Sequence, residues 1–135
     1  MSAELNILIV DDEFSARKLL EIMLKPYGRC VMAVNGNEAI KAVQQALSKD
    51  DYFDLICLDI MMPEMDGQEA LKIIRQLENK RSLWPGNGAK VIMTTALQDA
   101  SNVMTAFMEQ CESYLVKPIE KEALLTEMRK LTLIP

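Results

Sequence analysis

Apolar and polar positions along the chain follow two periods in turn. Asn6-Ile-Leu-Ile-Val10, Cys30-Val-Met-Ala-Val34, Leu55-Ile-Cys-Leu58, Lys90-Val-Ile-Met-Thr94 and Ser113-Tyr-Leu-Val116 are short, nearly unbroken apolar runs of strand length. The β-branched first run is the pattern of a strand buried on both faces. Between the runs, apolar residues recur every three to four positions. These stripes are Ala16, Leu19, Leu20, Met23; Ala39, Val43, Ala46, Leu47; Ala70, Ile73, Ile74, Leu77; Ala100, Val103, Met104, Phe107, Met108, Cys111; and Leu124, Leu125, Met128, Leu131. Each predicts an amphipathic helix. Pro26 and Gly28 stop the first helix, Asn35-Gly-Asn supplies cap chemistry for the second, and Asp66-Gly67 turns into the third. Strict alternation of strand and helix predicts right-handed crossovers and a parallel sheet covered on both faces, an α/β fold. No fixed-period repeat or low-complexity segment interrupts it, so residues 1–135 read as one domain.

The polar residues that break this pattern sit at strand ends. Asp11 and Asp12 follow the first strand, Asp59 ends the third, Thr94 and Thr95 end the fourth, and Lys117 follows the fifth. In open α/β sheets the crevice outside the carboxyl ends of the strands is where ligands bind. Any one of these residues alone reads more simply as a cap, strand filler or surface charge. Together they predict a site. Two unit charges 4 Å apart interact by about 4 kcal/mol at an effective dielectric of 20, and one lysine does not balance three carboxylates. A divalent cation does. All-oxygen ligation suits Mg²⁺, or Mn²⁺, hard ions that also bridge to phosphate oxygens. An incoming phosphoryl group would meet Lys117 and a threonine hydroxyl, with Asp59 attacking in line to give an aspartyl phosphate.

Composition narrows the class. There is no histidine, which excludes Ser–His and Cys–His hydrolases, His-ligated zinc and a phosphohistidine on this chain. Fifteen basic and 20 acidic residues give a net charge of −5, against nucleic-acid or anionic-membrane surfaces. No apolar run is long enough to span a membrane and no signal peptide is evident. Cys30, Cys57 and Cys111 are odd in number and lack metal-type spacing, which fits a reducing, cytoplasmic setting.

Asp11-Asp12, Asp59 followed by Ile60-Met-Met-Pro-Glu-Met-Asp-Gly67, Thr95-Ala96 and Lys117-Pro118 resemble the receiver domain of two-component response regulators, of the single-domain, chemotaxis-regulator type. The resemblance covers essentially the whole chain. It implies a flavodoxin-like five-stranded parallel sheet of order 2-1-3-4-5 flanked by five helices, with no output domain. By resemblance Asp59 is the phosphoacceptor, Asp12 and Asp59 bind Mg²⁺ directly, Asp11 acts through water, and the Met61 carbonyl is a third protein ligand. Lys117 contacts the phosphoryl oxygens, and its bond to Pro118 is expected to be cis. Thr95 and Tyr114 are the switch pair; Tyr114 also reads as a strand aromatic packed on a helix. The implied donor is a histidine kinase or phosphotransfer protein. The implied output is an effector, or a second copy in a phosphorylation-linked homodimer, on the face of the fourth and fifth helices and fifth strand. The chain would catalyse its own phosphorylation and dephosphorylation yet act primarily as a signalling switch. Two features depart from the family pattern. Residues 81–88 form a longer loop, with Trp84 either a partner contact or a lid on the core, and Glu109-Gln-Cys-Glu112 replaces the frequent glycine cap.

Two other classes compete. A small Mg²⁺-dependent phosphatase passing through the same aspartyl phosphate usually places an acid/base Asp two residues after the nucleophile, where this chain has Met61. A pseudo-receiver that never turns over phosphate would have no use for the intact set Asp11, Asp12, Asp59, Thr95 and Lys117.

Overall fold

A computed structural model describes residues 4–84, 86–96 and 110–135. Its strands are β1 (Leu5–Val10), β2 (Gly28–Ala33), β3 (Leu55–Asp59), β4 (Lys90–Thr95) and β5 (Ser113–Val116). They form one parallel sheet in the order β2-β1-β3-β4-β5. The helices are α1 (Phe14–Leu24), α2 (Gly36–Ser48), α3 (Gly67–Lys80) and α4 (Lys121–Lys130), and a 3₁₀ turn at Lys25–Tyr27 leads into β2. Among the described residues there are thus four α-helices, not five. The stripe expected from Ala100 to Cys111 lies outside them, except that Cys111 packs partly buried just before β5.

Side chains alternate across a strand, and here each side of the sheet has a helical layer. Leu8, Val10, Ile56, Leu58, Val91 and Met93 pack toward α2 and α3, whereas Ile7, Ile9, Leu55, Cys57 and Ile92 pack toward α1 and α4. That is why the central runs lack polar alternation. Edge strand β2 is less covered, leaving Val31 45% exposed. Gly28 is required where β2 starts, because a Cβ there would lie 2.1 Å from the Leu5 carbonyl oxygen.

Two helix faces differ from expectation. On α1 the buried residues are Leu20 and Leu24, and Leu19 is 43% exposed, because the inward stripe is narrower than the apolar pattern. On α3 the inward face is Ala70, Leu71 and Ile74 together with Arg75 and Glu78, leaving Ile73 and Leu77 at its flanks.

The two buried charges explain that rotation. Arg75 Nη1 donates to Glu78 Oε1 at 2.7 Å and to the Ala89 carbonyl at 2.8 Å. Its Nε donates to the Gln110 carbonyl at 2.9 Å, and Nη2 to Glu112 Oε1 at 3.0 Å. Glu78 Oε2 accepts from the Ala89 N–H, and Glu112 Oε1 from the Val91 N–H. The guanidinium lies 3.9 Å from the centroid of the half-buried Trp84 ring, so Trp84 is a lid on this cluster. The Arg81–Gly88 loop is therefore tied to α3 and to the starts of β4 and β5. Breaking a buried ion pair leaves the partner charge uncompensated. Arg75→Met should cost about 3–5 kcal/mol in urea denaturation followed by Trp84 fluorescence; a loss under about 1 kcal/mol would mean the cluster contributes little.

Candidate functional site

The carboxyl ends of β1, β3, β4 and β5 converge as the strand-end pattern predicts. Asp59 is the last residue of β3, 3% exposed, and Asp11, just past β1, is fully buried. Asp12 beside it is exposed. Carboxylate oxygens of all three lie within 4.8 Å of one another. Lys117, following β5, places Nζ 2.8 Å from Asp11 Oδ2 and 3.4 Å from Asp59 Oδ1. Asp11 Oδ1 accepts from the Glu13 N–H at 2.9 Å. Its Oδ2 has no well-directed hydrogen bond, so Lys117 meets it as a charge rather than as an aligned donor. The Lys117–Pro118 bond is cis.

The backbone fixes these positions. The Ile60 N–H donates to the Thr94 carbonyl at 3.1 Å, and the Lys117 N–H to the Thr95 carbonyl at 2.7 Å. The Gly67 N–H donates to the Ile60 carbonyl at 2.8 Å, drawing the start of α3 against the end of β3. A Cβ at Gly67 would lie 2.4 Å from the Asp59 carbonyl oxygen, so only glycine allows this approach. Asp66 caps α3 by accepting from the Glu69 N–H at 3.0 Å. In the connecting loop the Met65 N–H donates to the Pro63 carbonyl at 2.8 Å around Glu64, whose φ is 70°. This is the strained γ-turn form. Met61 lies in the same loop with its side chain 60% exposed.

Both threonines of β4 are buried. The Thr95 hydroxyl donates to the Ala96 carbonyl at 3.1 Å, whereas Thr94 Oγ1 has no hydrogen-bond partner among the described residues. Tyr114 is half-buried on β5 and packs against the core toward α2 and α3, as a strand aromatic on a helical layer does. Between α1 and the residues after β5, an open groove of about 420 Å³ is lined by Ala16, Leu19, Leu20, Pro118 and Ile119, with Asp11 and Lys117 also at its wall. Sequence reasoning missed the Arg75–Glu78–Glu112 cluster at the opposite end of β4. Charges at helical spacing ordinarily face water, and nothing local marked these as buried.

Burial and the neighbouring Asp11 carboxylate raise the Asp59 pKa to about 7, with Lys117 opposing and Asp12 adding to the rise. Burial works against the charge on Lys117, but Asp11 and Asp59 outweigh it and the ammonium titrates above its usual range. The donor set tests well for a hard divalent cation: three carboxylates, no nitrogen or sulfur ligand, and a buried Asp11 oxygen without an aligned donor.

Unfolded Asp59 ionises near 3.9. Between that value and about 7 the folded protein keeps a proton that the unfolded chain has released. Without metal, this group therefore makes stability fall as pH rises through that window and leaves it level above. Asp59→Asn should exceed the parent by roughly 2–4 kcal/mol at pH 8 in EDTA, with the gap closing toward pH 4. Chemical denaturation at both pH values measures it, and a gap independent of pH would contradict this charge balance.

Residues 7–129 match the family described as the response regulator receiver domain. The chain is 35% identical over 125 residues to the chemotaxis protein CheY of Bacillus subtilis, covering 93% of this chain and 95% of that protein. It is also 35% identical over 125 residues to the probable transcriptional regulator ycf27 of Guillardia theta, covering 92% of this chain and 44% of that one. Among solved structures, the CheX–CheY–BeF3–Mg complex of Borrelia burgdorferi superposes with a TM-score of 0.75 at 27% identity, covering 95% of this chain and 89% of that one. The chain spans less than half the length of several curated relatives, including 13% of the sensor histidine kinase GacS of Pseudomonas protegens and 12% of histidine kinase 2 of Arabidopsis thaliana. No helix among the described residues is long and apolar enough to cross a membrane. With the 2-1-3-4-5 sheet, the converging carboxylates and lysine, and a match over nearly its whole length, this chain belongs to the receiver domains of response regulators.

Proposed function

We propose that Asp59 accepts the phosphoryl group in this receiver's phosphorylation-dependent signalling, with Lys117, Thr95 and the Asp11–Asp12 pair around it. The observation that carries this reading is the ammonium of Lys117 held 2.8 and 3.4 Å from two buried carboxylates at the mouth of the sheet. An Asp59 oxygen attacks the phosphorus of a phosphohistidine on a kinase or phosphotransfer protein. The O–P bond forms as the P–N bond breaks, and its electron pair leaves with the imidazole, which takes a proton from solvent. Lys117 exchanges part of its pairing with Asp59 for the transferred oxygens, so its charge is already in place as the new charge arrives. Thr95 turns its hydroxyl from the Ala96 carbonyl toward the same oxygens.

Asp12 and Asp59 would hold Mg²⁺ directly, with Asp11 through water and the Met61 carbonyl as the further protein ligand; Mn²⁺ suits the same oxygens. Bound there, the ion supplies neutralisation of charge on the transferring phosphoryl oxygens.

The switch runs through Thr95 and Tyr114. Movement of Thr95 gives Tyr114 room to turn inward, altering the surface of β5 and α4 together with that of residues 100–109, which lie outside the described residues. An effector protein reads that surface, a second copy being the alternative occupant. Three free cysteines among the described residues suit a cytoplasmic setting. No observation favours the phosphatase reading, because Met61 has no transferable proton.

Intact mass after incubation with acetyl phosphate tests the proposal. One added phosphoryl group should form with Mg²⁺, and none with EDTA or in Asp59→Asn. No adduct under any condition would support a pseudo-receiver, and donor consumption without adduct a phosphatase. Residues two after Asp59 and Thr95 are Met61 and Leu97, the latter outside the described residues, and neither apolar side chain orients an attacking water. The phosphorylated form should therefore outlive that of Met61→Asn, Leu97→Glu several-fold, measured as decay of the adduct after donor removal. Equal lifetimes would contradict this.

A further inference from the structure

Thr94 carries a buried hydroxyl to which the acceptor chemistry around Asp59 assigns no role. It is 1% exposed and its Oγ1 has no hydrogen-bond partner among the described residues. A buried hydroxyl left unpaired is costly, and valine fills nearly the same volume without that cost.

The sheet register points to its partner. Thr94 is the cross-strand neighbour of Asp59, and Asp11 lies one residue beyond the Val10–Leu58 pair. Asp11, Asp59 and Thr94 therefore form one row across β1, β3 and β4. Each is two residues past a side chain packed toward α1 and α4, namely Ile9, Cys57 and Ile92, so alternation directs all three to that face. Thr95 has the opposite alternation and its hydroxyl already has an acceptor. Neighbouring strands are about 4.8 Å apart, so a χ1 rotation brings a Thr94 hydroxyl within hydrogen-bond reach of the Asp59 carboxylate.

We propose that Thr94 is a positioning residue whose hydroxyl donates to the Asp59 side chain on the flank opposite Asp11. Lys117 holds Asp59 from above the sheet and Asp11 crowds it from one side. The hydroxyl fixes the remaining rotation and presents one oxygen to the donor phosphorus. This inference rests on Asp59 being the acceptor.

The test compares Thr94→Val and Thr94→Ser with the parent in acetyl phosphate labelling at saturating Mg²⁺, with denaturation of each. Valine should lower the rate at saturating donor about tenfold, the usual scale for one hydrogen bond to a charged group, with little change in half-saturating donor. Its denaturation midpoint should stay near the parental value, because loss of the hydrogen bond and relief of a buried hydroxyl oppose each other. Serine keeps the hydroxyl but loses a buried methyl, so it should label near the parental rate while being less stable. A packing role predicts the reverse order in rate, with valine like the parent and serine impaired; that result, or valine at the parental rate with serine unimpaired, overturns the proposal. A parent that forms no Asp59-dependent adduct removes the acceptor reading itself, and Thr94 with it.

Discussion

The site depends on one ammonium placed against two buried carboxylates. Asp11 and Asp59 lie within a few ångströms of each other at the end of a sheet whose neighbouring residues are aliphatic, and water reaches neither freely. Lys117 bridges them at 2.8 and 3.4 Å. That contact forms where three strands end at one level, and glycine at position 67 lets α3 close against the end of β3. Burial, and then the neighbouring Asp11 carboxylate, raise the Asp59 pKa, and the single positive charge of Lys117 does not offset them. The cluster's surplus of negative charge makes the site receptive to a divalent cation. A poorly balanced charge cluster thus suits a signalling site, where an incoming ligand changes the balance and the surrounding structure responds.

The opposite end of β4 follows the contrary rule. There Arg75 is met by two glutamates, two backbone carbonyls and an aromatic face, and each of its three guanidinium nitrogens donates at least one hydrogen bond. These contacts join α3 to the starts of β4 and β5. The strands thus run from a paired charge cluster at one end to an unbalanced one at the other.

How much was legible in the sequence follows from where the information is local. Strand runs such as Leu55–Leu58 and stripes such as Ala39, Val43 and Leu47 repeat a period, and strict alternation leaves few topologies, so the sheet order could be expected from the residues and the family resemblance together. Asp11, Asp59 and Lys117 were legible because charge at the end of an apolar strand breaks its local pattern. Leu19 was misplaced because an apolar stripe on a helix can exceed the face that packs. Arg75 and Glu78 were invisible because their partners, Ala89 and Glu112, lie far along the chain. Thr94 looked like strand filler, since register with Asp59 and lack of a hydrogen bond are properties of the folded state.

The most direct test of the central claim locates the phosphoryl bond itself. Borohydride reduces an acyl phosphate on aspartate to the alcohol, leaving homoserine in its place. After labelling with acetyl phosphate and Mg²⁺, reduction and peptide sequencing by mass spectrometry should find homoserine at position 59 and at none of the other carboxylates. Homoserine at position 11 or 12 instead, or an adduct that survives as phosphoserine or phosphothreonine, would contradict Asp59 as the acceptor.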